Sequence, residues 1–148
     1  MPRPSTSLAA AAILLLALTA CVGGASTESA NLNETDPALW ARTALGDDEW
    51  QGAGASMSAG GLAPGSDAGM SLTPENPGWH RIDMACKGPS SMSVKITGAD
   101  SEISSGIIPC GAAVRTTVEL PATLIDIKVD GANARGMWAV AMAPTEAP

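Results

Sequence analysis

The chain has 148 residues, with eight Lys or Arg against 15 Asp or Glu and a formal net charge of −7. An acidic chain without a Lys/Arg cluster lacks the electrostatic footprint of a nucleic-acid binder, or of a protein held on anionic lipid by charge. It contains neither Phe nor Tyr, so any core must rest on Ile, Val, Leu, Met and a few Trp.

The first residues carry Arg3 and then an apolar run from Leu8 to Leu18. At about 11 residues that run is well below the roughly 20 needed to cross a bilayer as a helix, and it has the length of a signal-peptide core. It ends in Leu18-Thr19-Ala20-Cys21. A branched apolar residue, two small residues and Cys match the lipobox of bacterial lipoproteins. The small residues admit the scissile bond to the signal peptidase, and the Cys21 thiol accepts a diacylglyceryl group. The expectation is a signal peptide over 1–20 and a lipidated N-terminus at Cys21, anchored stably once two acyl chains are attached. Residues 21–35, beginning Cys21-Val22-Gly23-Gly24-Ala25-Ser26, then read as a flexible tether. This places the protein at the cell membrane, on its extracytoplasmic face.

Removing residues 1–20 leaves 128, with seven bases against 15 acids. That is enough for one domain and not comfortably for two, so residues 36–148 are expected to form a single domain, partly irregular over 36–69. Residues 21–78 hold eight acids and Arg42 alone, whereas residues 79–148 are close to neutral. With Cys21 committed to lipid, Cys86 and Cys110 are the remaining pair, and an oxidising compartment favours a disulfide between them. The loop it closes, about 25 residues long, corresponds to roughly 3 to 3.5 kcal/mol of chain entropy.

Asp36-Pro37, followed by an Ala/Leu/Trp stretch and Gly46, predicts a short helix: an N-cap acid, Pro at the first helical position and a terminal Gly. Residues 51–69 are rich in Gly, Ala and Ser and read either as linker or as a Gly-rich strand near 49–57, with a turn at Ala63-Pro64-Gly65. From residue 69 onward short alternating runs recur between Pro, Gly and Asn/Asp clusters. The runs are Met70–Thr73, His80–Cys86, Met92–Ile96, Ile103–Ile108, Val114–Leu120, Ile125–Val129 and Trp138–Met142. In the second, Ile82, Met84 and Cys86 take one face and Arg81, Asp83 and Lys87 the other. Period-two alternation with charged outer positions predicts antiparallel strands with one buried and one wet face. The fold class is therefore all-β: an antiparallel, jelly-roll-like β-sandwich of six to eight strands. Trp138 falls on the inward phase and is expected near the disulfide.

The lipobox, the Gly/Ser-rich start, the Pro77-Gly78 turn into a strand ending Cys86-Lys87-Gly88, Pro109-Cys110-Gly111 and the closing Trp138-Ala139-Val140-Ala141 form a pattern. Over about residues 45–148 it resembles small secreted lipoproteins of actinobacteria, mostly of unassigned function, with Trp79 as the aromatic after the Pro-Gly turn. The resemblance implies a β-sandwich at the cell surface and brings no catalytic residues.

Few residues could carry chemistry. His80 is the one His. A Ser-His-Asp site would need it as base, Asp83 as orienter and Ser90 or Ser91 as nucleophile, yet no Gly-x-Ser-x-Gly elbow is present and His80 reads as a surface residue. Zinc needs three or four ligands, which this chain does not offer. Asp47-Asp48-Glu49 and Asp100-Ser101-Glu102 could hold Ca²⁺, without EF-hand spacing; solvated loops are the simpler reading. Met84, Met92 and Met142 read as core rather than copper ligands. Asn33-Glu34-Thr35 is a sequon by pattern only. Trp79 lies on the face opposite Ile82, Met84 and Cys86, and an exposed Trp there can stack on a sugar ring or anchor a partner. The expected protein is thus a non-enzymatic binding or interaction module of the cell envelope without metal or cofactor. It would take an envelope protein or glycan, with a small hydrolase using His80, or a purely structural lipoprotein, as alternatives.

Overall fold

The structure, a computed structural model, describes residues 36–148. The lipobox, Cys21, the tether and the Asn33 sequon lie outside the described residues.

Helix α1 spans Pro37–Leu45 as its caps require. The Asp36 carboxylate accepts hydrogen bonds from the backbone N–H of Ala38 (2.8 Å) and Leu39 (3.4 Å). Gly46, at φ 79°, closes the other end by donating to the Arg42 carbonyl at 3.0 Å, a left-handed position that suits Gly. A 3₁₀ turn follows at Asp48–Trp50. Eight strands follow among the described residues: β1 Ser56–Leu62, β2 Ala68–Leu72, β3 Gly78–Lys87, β4 Ser91–Gly98, β5 Ser101–Pro109, β6 Val114–Leu120, β7 Ile125–Asp130 and β8 Gly136–Pro144.

The strands form two antiparallel four-stranded sheets, ordered β1-β8-β3-β6 and β2-β7-β4-β5. The pairs β1–β8, β2–β7, β3–β6 and β4–β5 are nested like the rungs of one long hairpin rolled over on itself, which is the jelly-roll sandwich. Between the sheets sits a core of Ile82, Met84, Cys86, Met92, Val94, Ile96, Leu120, Ile125, Ile127, Val140 and Met142, all buried. The three methionines fill the core, as expected. Cys86 and Cys110 are joined, and Trp138 is the cross-strand partner of Cys86, so the largest core side chain does lie beside the bridge.

Three expectations need correction. The Gly-rich strand lies at 56–62 rather than near 49–57, because residues 48–50 are taken by the 3₁₀ turn, whose Trp50 is buried. The outer face of β3 is not wet along its middle: Asp83 is 3% exposed and Ala85 equally covered, while Lys87 at its end is exposed. Helix α1 packs over β8, β1 and β3, and Ala41, Leu45 and Trp50 close on a floor of Ala85, Ala139 and Ala141. Small side chains on that floor let the helix axis approach closely. The partner sheet keeps the alternation as read, with Ser93 and Lys95 exposed between buried Met92, Val94 and Ile96. The third correction concerns His80, which is 4% exposed and not a surface residue. It shares the inward parity of Ile82 and Met84 and closes one end of the core. Among the described residues no helix is long and apolar enough to cross a membrane.

Candidate functional site

β3 begins at the Pro77-Gly78 turn, and its first side chains sit at one end of the sandwich. There a groove of about 570 Å³ opens between the β2–β3 turn (Thr73–Pro77), the loop before β1 (Ala53–Ala55) with Ser56 at the start of that strand, and the C-terminal end of β8. Its volume falls in the range of small-ligand sites. Trp79 forms one wall and is half-buried; the sequence predicted an exposed ring. Its backbone is pinned, since the Trp79 carbonyl accepts a hydrogen bond from the Thr145 N–H at 2.9 Å. Around it the groove offers the Ser56 and Thr73 hydroxyls, the Asn76 amide and the Glu75 carboxylate. His80 also lines it, with Nδ1 2.9 Å from the Gly78 carbonyl. A carbonyl can only accept, so Nδ1 carries the proton in this arrangement.

The triad weighed from the sequence is not assembled. His80 faces inward and Asp83 outward, on opposite sides of β3, and Ser90 and Ser91 lie beyond the far end of that strand. At about 3.3 Å per residue, that separation exceeds roughly 20 Å. Asp83 is engaged elsewhere. Arg115, its cross-strand partner on β6, donates from Nε to Oδ1 at 2.8 Å and from Nη2 to Oδ2 at 2.7 Å. The same Nη2 reaches Glu49 at 3.0 Å. The two carboxylates, Asp83 foremost, hold the Arg115 guanidinium above its usual pKa. Arg81 also meets Glu49 at 3.0 Å and lies 4.3 Å from the centre of the Trp50 ring, while the Trp50 Nε1 donates to the Leu45 carbonyl at 3.0 Å. This cluster clamps the 3₁₀ turn to the sheet, and its charges are matched two against two. Sequence reading missed it because Arg81 and Asp83 meet Arg115 only through the β3–β6 pairing, and Glu49 reaches them from the 3₁₀ turn.

The two acidic runs weighed for Ca²⁺ are dispersed. Asp47 faces Arg42 at 3.8 Å, Glu49 serves the arginines, and Glu102 binds Lys95 at 3.0 Å and accepts the Ser105 hydroxyl at 2.6 Å. Among the described residues no three His, Cys, Asp or Glu side chains gather into a metal site.

No family model matches the chain, and no curated protein matches it. Solved structures with partial likeness include PirA, at 12% identity and TM-score 0.43 over 59% of this chain and 93% of that one. Another is a carbohydrate-binding module from Cellvibrio mixtus lichenase 5A in complex with cellotriose, at 15% identity and TM-score 0.42 over 65% and 91%. The disulfide-linked pili of Bacillus endospore appendages score 0.38 at 9% identity over 63% and 89%. At these scores the likenesses say nothing about function.

Proposed function

We propose that the protein is a lipoprotein of the bacterial cell envelope, tethered through acylated Cys21 on the extracytoplasmic face of the membrane. In this reading it is a non-enzymatic binding module that holds an envelope glycan in the groove beside Trp79. The location is supported by the lipobox ending at Cys21 and by a Cys86–Cys110 bridge, a bond that persists in oxidising compartments. The resemblance to actinobacterial lipoproteins belongs to the same proposal.

The observation that carries the binding reading is Trp79 itself. It is a half-buried indole, anchored through its backbone, forming the wall of a groove rimmed by hydroxyl, amide and carboxylate groups. Such a ring offers flat apolar area to the C–H face of a sugar, and the rim groups can exchange hydrogen bonds with its hydroxyls.

Two measurements test the proposal. In a bacterial host, the full chain should fractionate with membranes and its mature form should carry the mass of acyl groups on residue 21. Cys21→Ser should abolish both; an intact leader, or an unmodified Cys21 on freely released protein, would refute the anchor. The mature chain should be retained by envelope glycan, and Trp79→Ala should weaken retention about tenfold, as expected for loss of one aromatic stacking contact. Retention by envelope protein alone, or none at all, would refute the glycan reading.

A further inference from the structure

The charges around the groove are one-sided. Glu75 lines it. Glu119 is the cross-strand partner of Trp79 on β6, so both side chains project from the same face of that sheet. Glu146 follows Thr145, whose N–H holds the Trp79 carbonyl. All three carboxylates are exposed, and among the described residues no Lys or Arg lines the groove. The nearest cation on the same face of β3, Arg81, is turned to Glu49 and stacked on Trp50. Lys87 stands at the opposite end of β3, and Arg135 precedes β8 at that same end, where Lys87 pairs with Met137. The Trp79 end of the sandwich is therefore its negative pole.

We infer that the groove beside Trp79 selects glycans bearing free amino groups, such as unsubstituted glucosamine units, over neutral and acidic ones. The inference rests on the glycan reading above and narrows it. Stacking on Trp79 does not depend on ligand charge, so it supplies affinity without discrimination. Discrimination comes from Glu75 and Glu119, which attract an ammonium group and repel a uronate or phosphate within the screening distance of about 8 Å at physiological salt. An ammonium next to the indole face gains further from the ring quadrupole.

The test uses the mature chain and three oligosaccharides of equal length, followed by Trp fluorescence and calorimetry. They are chitosan, its N-acetylated counterpart with the same backbone, and polygalacturonate, compared at a pH that keeps the amines charged. Chitosan should bind at least about tenfold more tightly than the N-acetylated form, a difference of about 1.4 kcal/mol, and polygalacturonate weakest. Glu75→Gln and Glu119→Gln should erase that preference by weakening chitosan more than the N-acetylated ligand, whereas Trp79→Ala should weaken both alike and leave the preference in place. Asp67→Asn removes the same charge just before β2, at the far end of the sandwich, and should leave the preference intact. Equal or tighter binding of the N-acetylated or acidic ligand would overturn the inference but leave the glycan reading standing. So would a loss of preference in Asp67→Asn as large as in Glu75→Gln, which would mark attraction to the acidic chain as a whole. Failure of all three ligands to bind would overturn the glycan reading itself.

Discussion

Arg115 grips Asp83 with two nitrogens, at 2.8 and 2.7 Å, and the carboxylate it holds is 3% exposed. A buried carboxylate that loses its donor keeps its desolvation cost without compensation. Arg115→Met is therefore expected to destabilise the fold by about 1–3 kcal/mol in urea unfolding. Arg42→Met breaks the exposed pair with Asp47 and should cost about 0–1 kcal/mol. Equal costs for the two would show that the clamp on the 3₁₀ turn adds nothing.

The bridge between Cys86 and Cys110 closes a loop of sequence separation 24. Replacing both with Ser is expected to lower stability by about 3 kcal/mol, which corresponds to a fall in Tm of roughly 10 °C or more. Thermal melts of oxidised protein, reduced protein and the double variant measure this. The reduced form should melt below the oxidised one, and the double variant lower still, because a hydroxyl then replaces the buried Cys86 sulfur.

Two adjacent glycines of β1 should respond oppositely to Ala. A Cβ on Gly60 would stand 2.9 Å from the Trp138 Nε1, whereas one on Gly61 has nothing nearer than 4.0 Å. Gly60→Ala must push a buried indole and is expected to cost about 1–3 kcal/mol. Gly61→Ala should be neutral or stabilise by up to about 1 kcal/mol, through the entropy it removes from the unfolded chain. Denaturant midpoints of the two variants decide the matter.

The β4–β5 hairpin turns on Ala99 and Asp100, both left-handed, at φ 48° and 64°. Two consecutive positive φ values describe the turn that favours an Asn followed by a Gly. The double substitution Ala99→Asn with Asp100→Gly is expected to raise stability by about 0.5–1 kcal/mol. A lower melting temperature would contradict that reading of the turn.

Helix α1 is legible in the sequence because its signals are local: Asp36, Pro37 and Gly46 announce its ends whatever packs on it. The strands from Gly78 onward are legible for a related reason, since Ile82-Met84-Cys86 and Met92-Val94-Ile96 record which face meets the core. The sequence misplaces β1 because Ser-Met-Ser-Ala-Gly-Gly-Leu carries no alternation; its place is set by β8, with which every one of its residues pairs. The burial of Asp83 and Ala85 is illegible for the same reason, because the helix over that face, Pro37–Leu45, is distant in sequence. Trp79 is found by parity alone. Its groove is not, because Glu75, Ser56 and Thr145 meet it only through the turns that the roll brings together.

The last of the described strands in chain order is an interior one. β8 lies between β1 and β3, so until residues 136–144 arrive, the first sheet is split and Cys86 lacks its Trp138 neighbour. A nascent chain lacking them cannot finish folding early, however long it waits. For a polypeptide proposed to be threaded across a membrane before it folds, that ordering acts as a timer: closure is postponed until residues 136–144 have passed through.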